Sequence, residues 1–204
     1  MIRVLVTGFD PFGGEKINPS WELVKKLDMK EEGIDLYKLE LPTVFYRAND
    51  LLFKKIKEID PHLIISFGQA GGRSKISLEF IGINHINSKI PDNDGKSYRQ
   101  KIYEDGADAY FSNLPLYRIE EDLKGKNIPV HISYSAGSYV CNNILYSLGY
   151  YRKKHKKNYM AGFVHIPYLR EQVIDKQAST PSMDQDLMVV AAENIIRQTL
   201  RGIE

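Results

Sequence analysis

Covalent acyl transfer needs a nucleophile, a base that takes its proton, and a group that orients the base. This chain has one cysteine, Cys141, in the stretch Ser133-Tyr134-Ser135-Ala136-Gly137-Ser138-Tyr139-Val140-Cys141-Asn142-Asn143. The apolar run Ile128–Ile132 before it reads as a buried strand, and Val140, Ile144, Leu145 and Leu148 recur at helical spacing. The small residues 135–138 make the turn, so Cys141 falls in the first turn of a helix. Free N–H groups and the helix dipole favour negative charge there, which predicts a lowered thiol pKa. Residue type alone favours a buried structural cysteine; the strand–turn–helix setting brings the catalytic reading level with it.

His165 ends the run Ala161-Gly162-Phe163-Val164-His165-Ile166-Pro167-Tyr168, which reads as a buried strand stopped by Pro167. A strand-end histidine is placed to reach a site in an α/β protein, although many such histidines are structural. Glu79 closes Gly68-Gln69-Ala70-Gly71-Gly72-Arg73-Ser74-Lys75-Ile76-Ser77-Leu78-Glu79, a strand, a glycine-rich loop and a short apolar run. Taken alone it reads as a solvated strand carboxylate. Together the three supply nucleophile, base and orienting acid.

The elements that must position them alternate. Strands are predicted at Ile2–Val6, Ile34–Leu39, Leu63–Phe67, Ile76–Phe80, Ile128–Ser133 and Met160–His165. Helices are predicted at Ser20–Leu27, Tyr46–Ile59, Ile119–Lys124, Val140–Leu148 and Met183–Thr199. Asn18 and Pro19 fit an N-cap and first helical position, and Asp60-Pro61 stops the second helix. Alternation of this kind predicts an α/β fold, an open three-layer α/β/α sandwich. Ligand sites in such sheets lie beyond strand carboxyl ends, and Gly8, Gly68, the 135–138 turn and His165 all follow predicted strands.

With 204 residues, 43% of them hydrophobic, and no linker-like stretch, a single domain spanning 1–204 with a sizeable core is expected. A formal net charge of +2 gives no reason to expect nucleic acid. One cysteine excludes an internal disulfide framework and a multi-cysteine metal site and suits a reducing cytoplasm. Met1–Thr7 is too short an apolar start for a signal peptide, and no run is long enough to span a membrane.

Other signals have plainer readings. Gly8-Phe9-Asp10-Pro11-Phe12-Gly13-Gly14 is a glycine-rich loop after a strand, but it lacks the spacing of a phosphate or dinucleotide loop. The run Arg152-Lys153-Lys154-His155-Lys156-Lys157 reads as a solvated loop. His62, His85, His131 and His155 have no metal-ligand spacing, though His131 alternates within a strand in a way that lets it face the site. Asp92 and Asp94 fit the turn Pro91-Asp92-Asn93-Asp94-Gly95; Asp92 is the alternative to Glu79 for orienting His165.

Four blocks, in order and spanning nearly the whole chain, resemble the pyroglutamyl peptidase I family of cysteine peptidases. They are Thr7–Gly14 through Asn18-Pro19-Ser20, Gly68–Glu79 with Asn84, Ser133–Asn142, and Gly162–Tyr168, with weaker matches at Ile90-Pro91-Asp92-Asn93 and Pro181-Ser182-Met183. The resemblance implies a twisted, mixed sheet between helix layers. It also implies Cys141 as nucleophile, His165 as base and Glu79 as third member. The family's aromatic slot for the pyroglutamyl ring falls on Phe9 and Phe12, and its lactam-reading amide on Gln69. Such a slot suits a flat, uncharged ring with one N–H and one C=O. By the same resemblance the substrates are N-pyroglutamyl peptides, no metal or organic cofactor is needed, and the assembly is a homo-oligomer, commonly a tetramer.

The chain departs from that family at several points. Phe80 replaces a basic residue, Lys89 an arginine, Gly82 an alanine and Arg170 a proline, and the stretch Gly95–Gln100 differs. Lys89 is expected to help meet the oxyanion as the arginine would. Two other classes fit the fold: another enzyme, such as an esterase or a nucleoside phosphorylase-like protein, and a non-catalytic binder that keeps the pocket.

Overall fold

The computed structural model describes residues 1–202. Its main sheet has six strands: β1 Ile2–Phe9, β2 Ile34–Leu41, β3 Leu63–Gln69, β4 Ile76–Glu79, β9 Val130–Ser133 and β10 Met160–Ile166. They lie in the order β2-β1-β3-β10-β4-β9. The first four of these run parallel, β4 is antiparallel to β10, and β9 is parallel to β4. The sheet is therefore mixed, and its direction reverses between β10 and β4.

Side chains alternate across each strand, so the two faces build two cores. Val4, Val6, Leu63, Ile65, Phe67, Ile76, Leu78 and Val164 point to one face. They pack against α1 (Pro19–Lys26), α3 (Leu116–Gly125) and α5 (Gln185–Leu200). Leu5, Ile64, Ala161 and Phe163 point to the other, against α2 (Arg47–Ile59) and α4 (Val140–Lys154). The result is the expected three-layer sandwich. Thr7, Ser66, Ser77, Glu79 and His165 alternate onto the α2/α4 face and are nonetheless buried. Buried polar groups need partners, so this row marks where packing has yielded to something else.

Element bounds shift in physically legible ways. The Asn18 side chain accepts the Ser20 N–H at 3.1 Å with Pro19 opening α1, as predicted. Helix α2 starts at Arg47 rather than Tyr46, because Tyr46 sits at φ 62° outside helical space. It ends in the left-handed Asp60 before Pro61, as expected. Helix α4 runs on to Lys154, past the predicted end at Leu148, because Tyr150 and Tyr151 remain buried. The first three residues of the basic run are therefore the last of a helix, not a loop. The extra cations sit at a helix C-terminus, where the dipole favours them.

Four short strands escaped prediction: β5 Ile81–Ile83, β6 Ile86–Asn87, β7 Arg99–Gln100 and β8 Ala109–Phe111. They form two antiparallel ribbons, β5 with β8 and β6 with β7, of two or three residues per strand. Runs this short show no periodicity. Gly82 in β5 explains one departure from the family pattern. A Cβ there would stand 2.6 Å from the Tyr146 backbone nitrogen, so the ribbon's close approach to α4 needs glycine.

Candidate active site

Strand register brings the predicted chemistry together. His165 of β10 pairs across with Gly68 of β3 on one side and Ser77 of β4 on the other. Glu79 lies two residues on from Ser77, on the same face and diagonal to His165. The His165 side chain is 6% exposed and the Glu79 side chain is fully buried. Nδ1 of His165 and Oε1 of Glu79 are 2.7 Å apart. An ionised carboxylate only accepts, so Nδ1 donates and Nε2 keeps its lone pair, the state of a base.

Cys141 is the second residue of α4. Its sulfur lies against Gly68, His165's register partner: a Cβ on Gly68 would meet Sγ at 3.0 Å and the Phe163 ring at 2.7 Å. Glycine is required there by close approach rather than by backbone angle. The Phe163 ring in turn packs on the His165 ring, centroids 4.9 Å apart. Thiol, imidazole and carboxylate thus converge where the parallel part of the sheet meets β4. The route to Cys141 differs from expectation. Strand β9 runs opposite to β1, β3 and β10, so the turn after it leaves from the other edge and doubles back.

The expected depression of the thiol pKa is overturned. Cys141 is half-buried as a residue, yet desolvation around its sulfur pushes the thiol up to about 12, and the Glu79 charge adds to that rise. Arg73 and the thiol's own backbone N–H oppose the rise without cancelling it. A helix terminus is worth about 0.3–1 kcal/mol at an exposed site, less than the desolvation of a buried anion. At rest Cys141 is therefore a thiol, and any reaction that uses its sulfur as a thiolate requires that the proton be removed in the step itself.

The remaining predicted residues divide. Phe12 is half-buried, its ring 6.1 Å from that of Tyr139. Phe9 is only 2% exposed and packs on Phe163 at 6.2 Å, so it backs the site more than it lines it. Gln69 is half-buried at the end of β3, and its Oε1 accepts from Gln172 Nε2 at 2.9 Å. A cleft of about 440 Å³ lined by Gly14, Glu15, Ile17, Gln172 and Lys176 opens beside it. A wider concavity of about 650 Å³ around Phe53 and Tyr151 lies near the other end of α4 and holds none of the predicted residues.

Lys89 is exposed and has no polar side-chain partner among the described residues. Its loop is clamped to the turn before Cys141, by Asn87 N–H donating to Ser138 O and Ser138 Oγ donating to Asn87 O, both at 3.0 Å. Asp92 does not reach His165. Its oxygens accept from the backbone N–H groups of Phe45, Asp94 and Lys96, which makes it the anchor of the 91–96 turn. His131 does share the site's row, paired with Ser77, and its Nδ1 has no partner. Burial, reinforced by Arg73, lowers its pKa.

Three residues at the site were not singled out from sequence. Arg73 Nη1 donates to Glu79 Oε1 at 2.7 Å. Tyr139, which precedes α4, faces Phe12 and Phe45 and donates its hydroxyl to Pro91 O at 2.9 Å. Gln172 ties Gln69 to Glu15 and Ile17. Arg73 and Tyr139 lay inside blocks already marked as chemical, and that proximity was the available signal. Gln172 gave none.

A thiol at a helix start beside a carboxylate-held imidazole, on an α/β sheet, is the equipment of a hydrolase that works through a covalent intermediate. Comparison with known proteins points to hydrolases. The family model described as "Pyroglutamyl peptidase" matches residues 2–201. The pyrrolidone-carboxylate peptidase of Brachyspira hyodysenteriae is 46% identical, covering 98% of this chain and 99% of its own. Pyrrolidone-carboxylate peptidase 2 of Caldanaerobacter subterraneus subsp. tengcongensis is 48% identical over 98% of both. Among solved structures, a mutant pyrrolidone carboxyl peptidase from Pyrococcus furiosus superposes with a TM-score of 0.96 at 40% identity, covering all of both chains. The pyroglutamyl peptidase I of Bacillus amyloliquefaciens gives 0.92 at 42%, covering 97% of this chain and 94% of its own. The chain belongs to the pyroglutamyl peptidase family.

Proposed function

We propose that this chain, working as one domain, removes an N-terminal pyroglutamyl residue from peptides through a Cys141-His165-Glu79 triad and a thioester intermediate. The observation that supports this best is the 2.7 Å contact between Glu79 and His165, next to the sulfur packed on Gly68. Because burial holds Cys141 protonated, His165 Nε2 takes the thiol proton as sulfur attacks the pyroglutamyl carbonyl carbon. The imidazolium so formed is stabilised by Glu79 and returns the proton to the leaving amine. Water, deprotonated by the same imidazole, then cleaves the thioester.

The tetrahedral oxyanion falls near the N-terminus of α4, where no side chain caps the helix and its first N–H groups are free to donate. Lys89 lends positive charge from the clamped loop. The ring of the substrate stacks at Phe12 with Phe9 behind it, and Gln69 reads the lactam. Gln172 occupies Gln69 Oε1, which leaves the Gln69 amide N–H groups to donate to the lactam carbonyl. By family resemblance the reaction needs no metal or organic cofactor. Among the described residues no three His, Cys, Asp or Glu side chains are grouped to hold a metal. No helix among the described residues is long and apolar enough to cross a membrane. The free thiol suits a cytoplasmic setting, and a homo-oligomer, a tetramer by family resemblance, is the expected assembly. Release of a chromogenic amine from its pyroglutamyl amide, abolished by prior iodoacetamide, tests the reading. Release that survives complete alkylation of Cys141 points instead to a different enzyme on this fold.

A further inference from the structure

We propose that Arg73 is a positioning residue for this reaction, holding Glu79 ionised and so keeping His165 free to accept the thiol proton. The inference rests on the triad reading above. One guanidinium nitrogen, Nη1, donates to Glu79 Oε1 at 2.7 Å, the same oxygen that accepts from His165 at 2.7 Å. Glu79 is fully buried, and its other oxygen, Oε2, has no partner. Arg73 and His165 are its only ion-pair partners among the described residues. A buried carboxylate with one engaged oxygen is costly unless a cation compensates it. Arg73 is the permanent cation; His165 must be neutral to act.

Glu79 and His165 act as one unit, joined at 2.7 Å. The active form is the one with the carboxylate ionised and the imidazole neutral, which carries one proton fewer than the ion pair. A fixed positive charge beside Oε1 disfavours uptake of that extra proton, wherever it sits. Removing the charge therefore makes the pair protonate at higher pH and the base fail sooner on acidification. The other charged or titratable groups near the pair are His131 on β9 and Cys141 on α4, both of which feel the Glu79 charge, while Lys75, in the loop before β4, acts on His131. Glu120 acts on His131 from α3. Arg73 Nη2 also lies 3.4 Å from Ser135 O, in the turn before Cys141. One guanidinium thus spans the acid and the approach to the nucleophile, and a pin for that turn is the competing explanation.

The test is the pH dependence of kcat/KM on a chromogenic pyroglutamyl amide for the wild type, Arg73→Gln, Arg73→Ala, Arg73→Lys and Lys75→Gln, with thermal unfolding of each. Arg73→Gln and Arg73→Ala are expected to move the acid limb up by about one pH unit, the low end of the effect of an adjacent arginine on a carboxylate. Arg73→Lys keeps the charge but not the fork, so its limb stays near wild type while its plateau falls. Lys75→Gln leaves the limb in place. An acid limb in Arg73→Gln that coincides with wild type, even at a lower plateau, overturns the proposal. So does failure of both neutral variants to fold, which makes Arg73 a structural pin. A wild type that releases no amine, or a Cys141→Ala variant that still does, defeats the triad reading instead and is thereby distinguishable.

Discussion

Replacing Glu79 by Gln separates charge from shape at the site. The amide keeps an oxygen where Oε1 stands, 2.7 Å from both His165 Nδ1 and Arg73 Nη1, so the imidazole stays aimed. Only the negative charge is lost, and its loss acts in opposite directions on the two partners. The imidazolium formed when the thiol gives up its proton loses a charged hydrogen-bond partner, worth about 1.5–3 kcal/mol. At about 1.4 kcal/mol per factor of ten, kcat falls about 10- to 150-fold. The thiol, by contrast, is relieved of the charge that adds to burial in holding its pKa up. Above about pH 9, where an ordinary imidazole is neutral, Cys141 in Glu79→Gln should ionise at lower pH than in the wild type. The assay pairs steady-state release from a pyroglutamyl amide with iodoacetamide alkylation followed across pH. Turnover falls while the alkaline midpoint of alkylation moves down. A kcat within twofold of wild type, or a midpoint that stays put or rises, refutes the electrostatic reasoning.

Three further outcomes follow from the geometry. Gly68→Ala drives a methyl into the Phe163 ring and Cys141 Sγ, so stability should fall by about 1–3 kcal/mol in urea unfolding and turnover should fall with it; unchanged turnover would mean the thiol does not rest there. Lys89→Ala, at an exposed side chain with no polar partner, should leave Tm within error but lower kcat/KM, whereas Lys89→Arg should equal or exceed wild type; equal rates for wild type and Lys89→Ala place the ammonium outside the site. Wild type should prefer pyroglutamyl over prolyl amides by at least about a hundredfold, because an unpaired buried donor and a buried charged amine both cost free energy. Gln172→Leu should narrow that gap by freeing the Gln69 amide to turn, measured as the ratio of the two kcat/KM values, and an unchanged ratio removes Gln172 from the specificity argument.

The fold was legible where residues are apolar and periodic. All six strands of the main sheet and all five α-helices among the described residues were anticipated, because each buries a face whose pattern survives in the sequence. The four ribbon strands were not, since two or three residues leave no pattern to read. The reversal at β4 was also hidden: Ile76–Glu79 has no residue that records the direction of its neighbours. Glu79, Cys141 and His165 stand out as chemical types at element ends, and the structure gathers them. Arg73 escaped because a cation in a glycine-rich loop reads as solvated, and only tertiary contact with a buried carboxylate gives it a role. The thiol's ionisation was misjudged for a related reason. The helix start is visible in sequence, but the packing of Gly68 and Phe163 that desolvates Sγ is not.

On the thioester reading, Cys141 carries the pyroglutamyl group during turnover. The most direct measurement mixes enzyme with excess pyroglutamyl amide, quenches it in acid within the first turnovers and maps the acylated peptide by mass spectrometry. A pyroglutamyl group on the Cys141 peptide, removed by hydroxylamine, is expected, with neither acylation nor amine release from Cys141→Ala. Amine release from Cys141→Ala above a few per cent of wild type, or an acyl group mapped to any other residue, contradicts it.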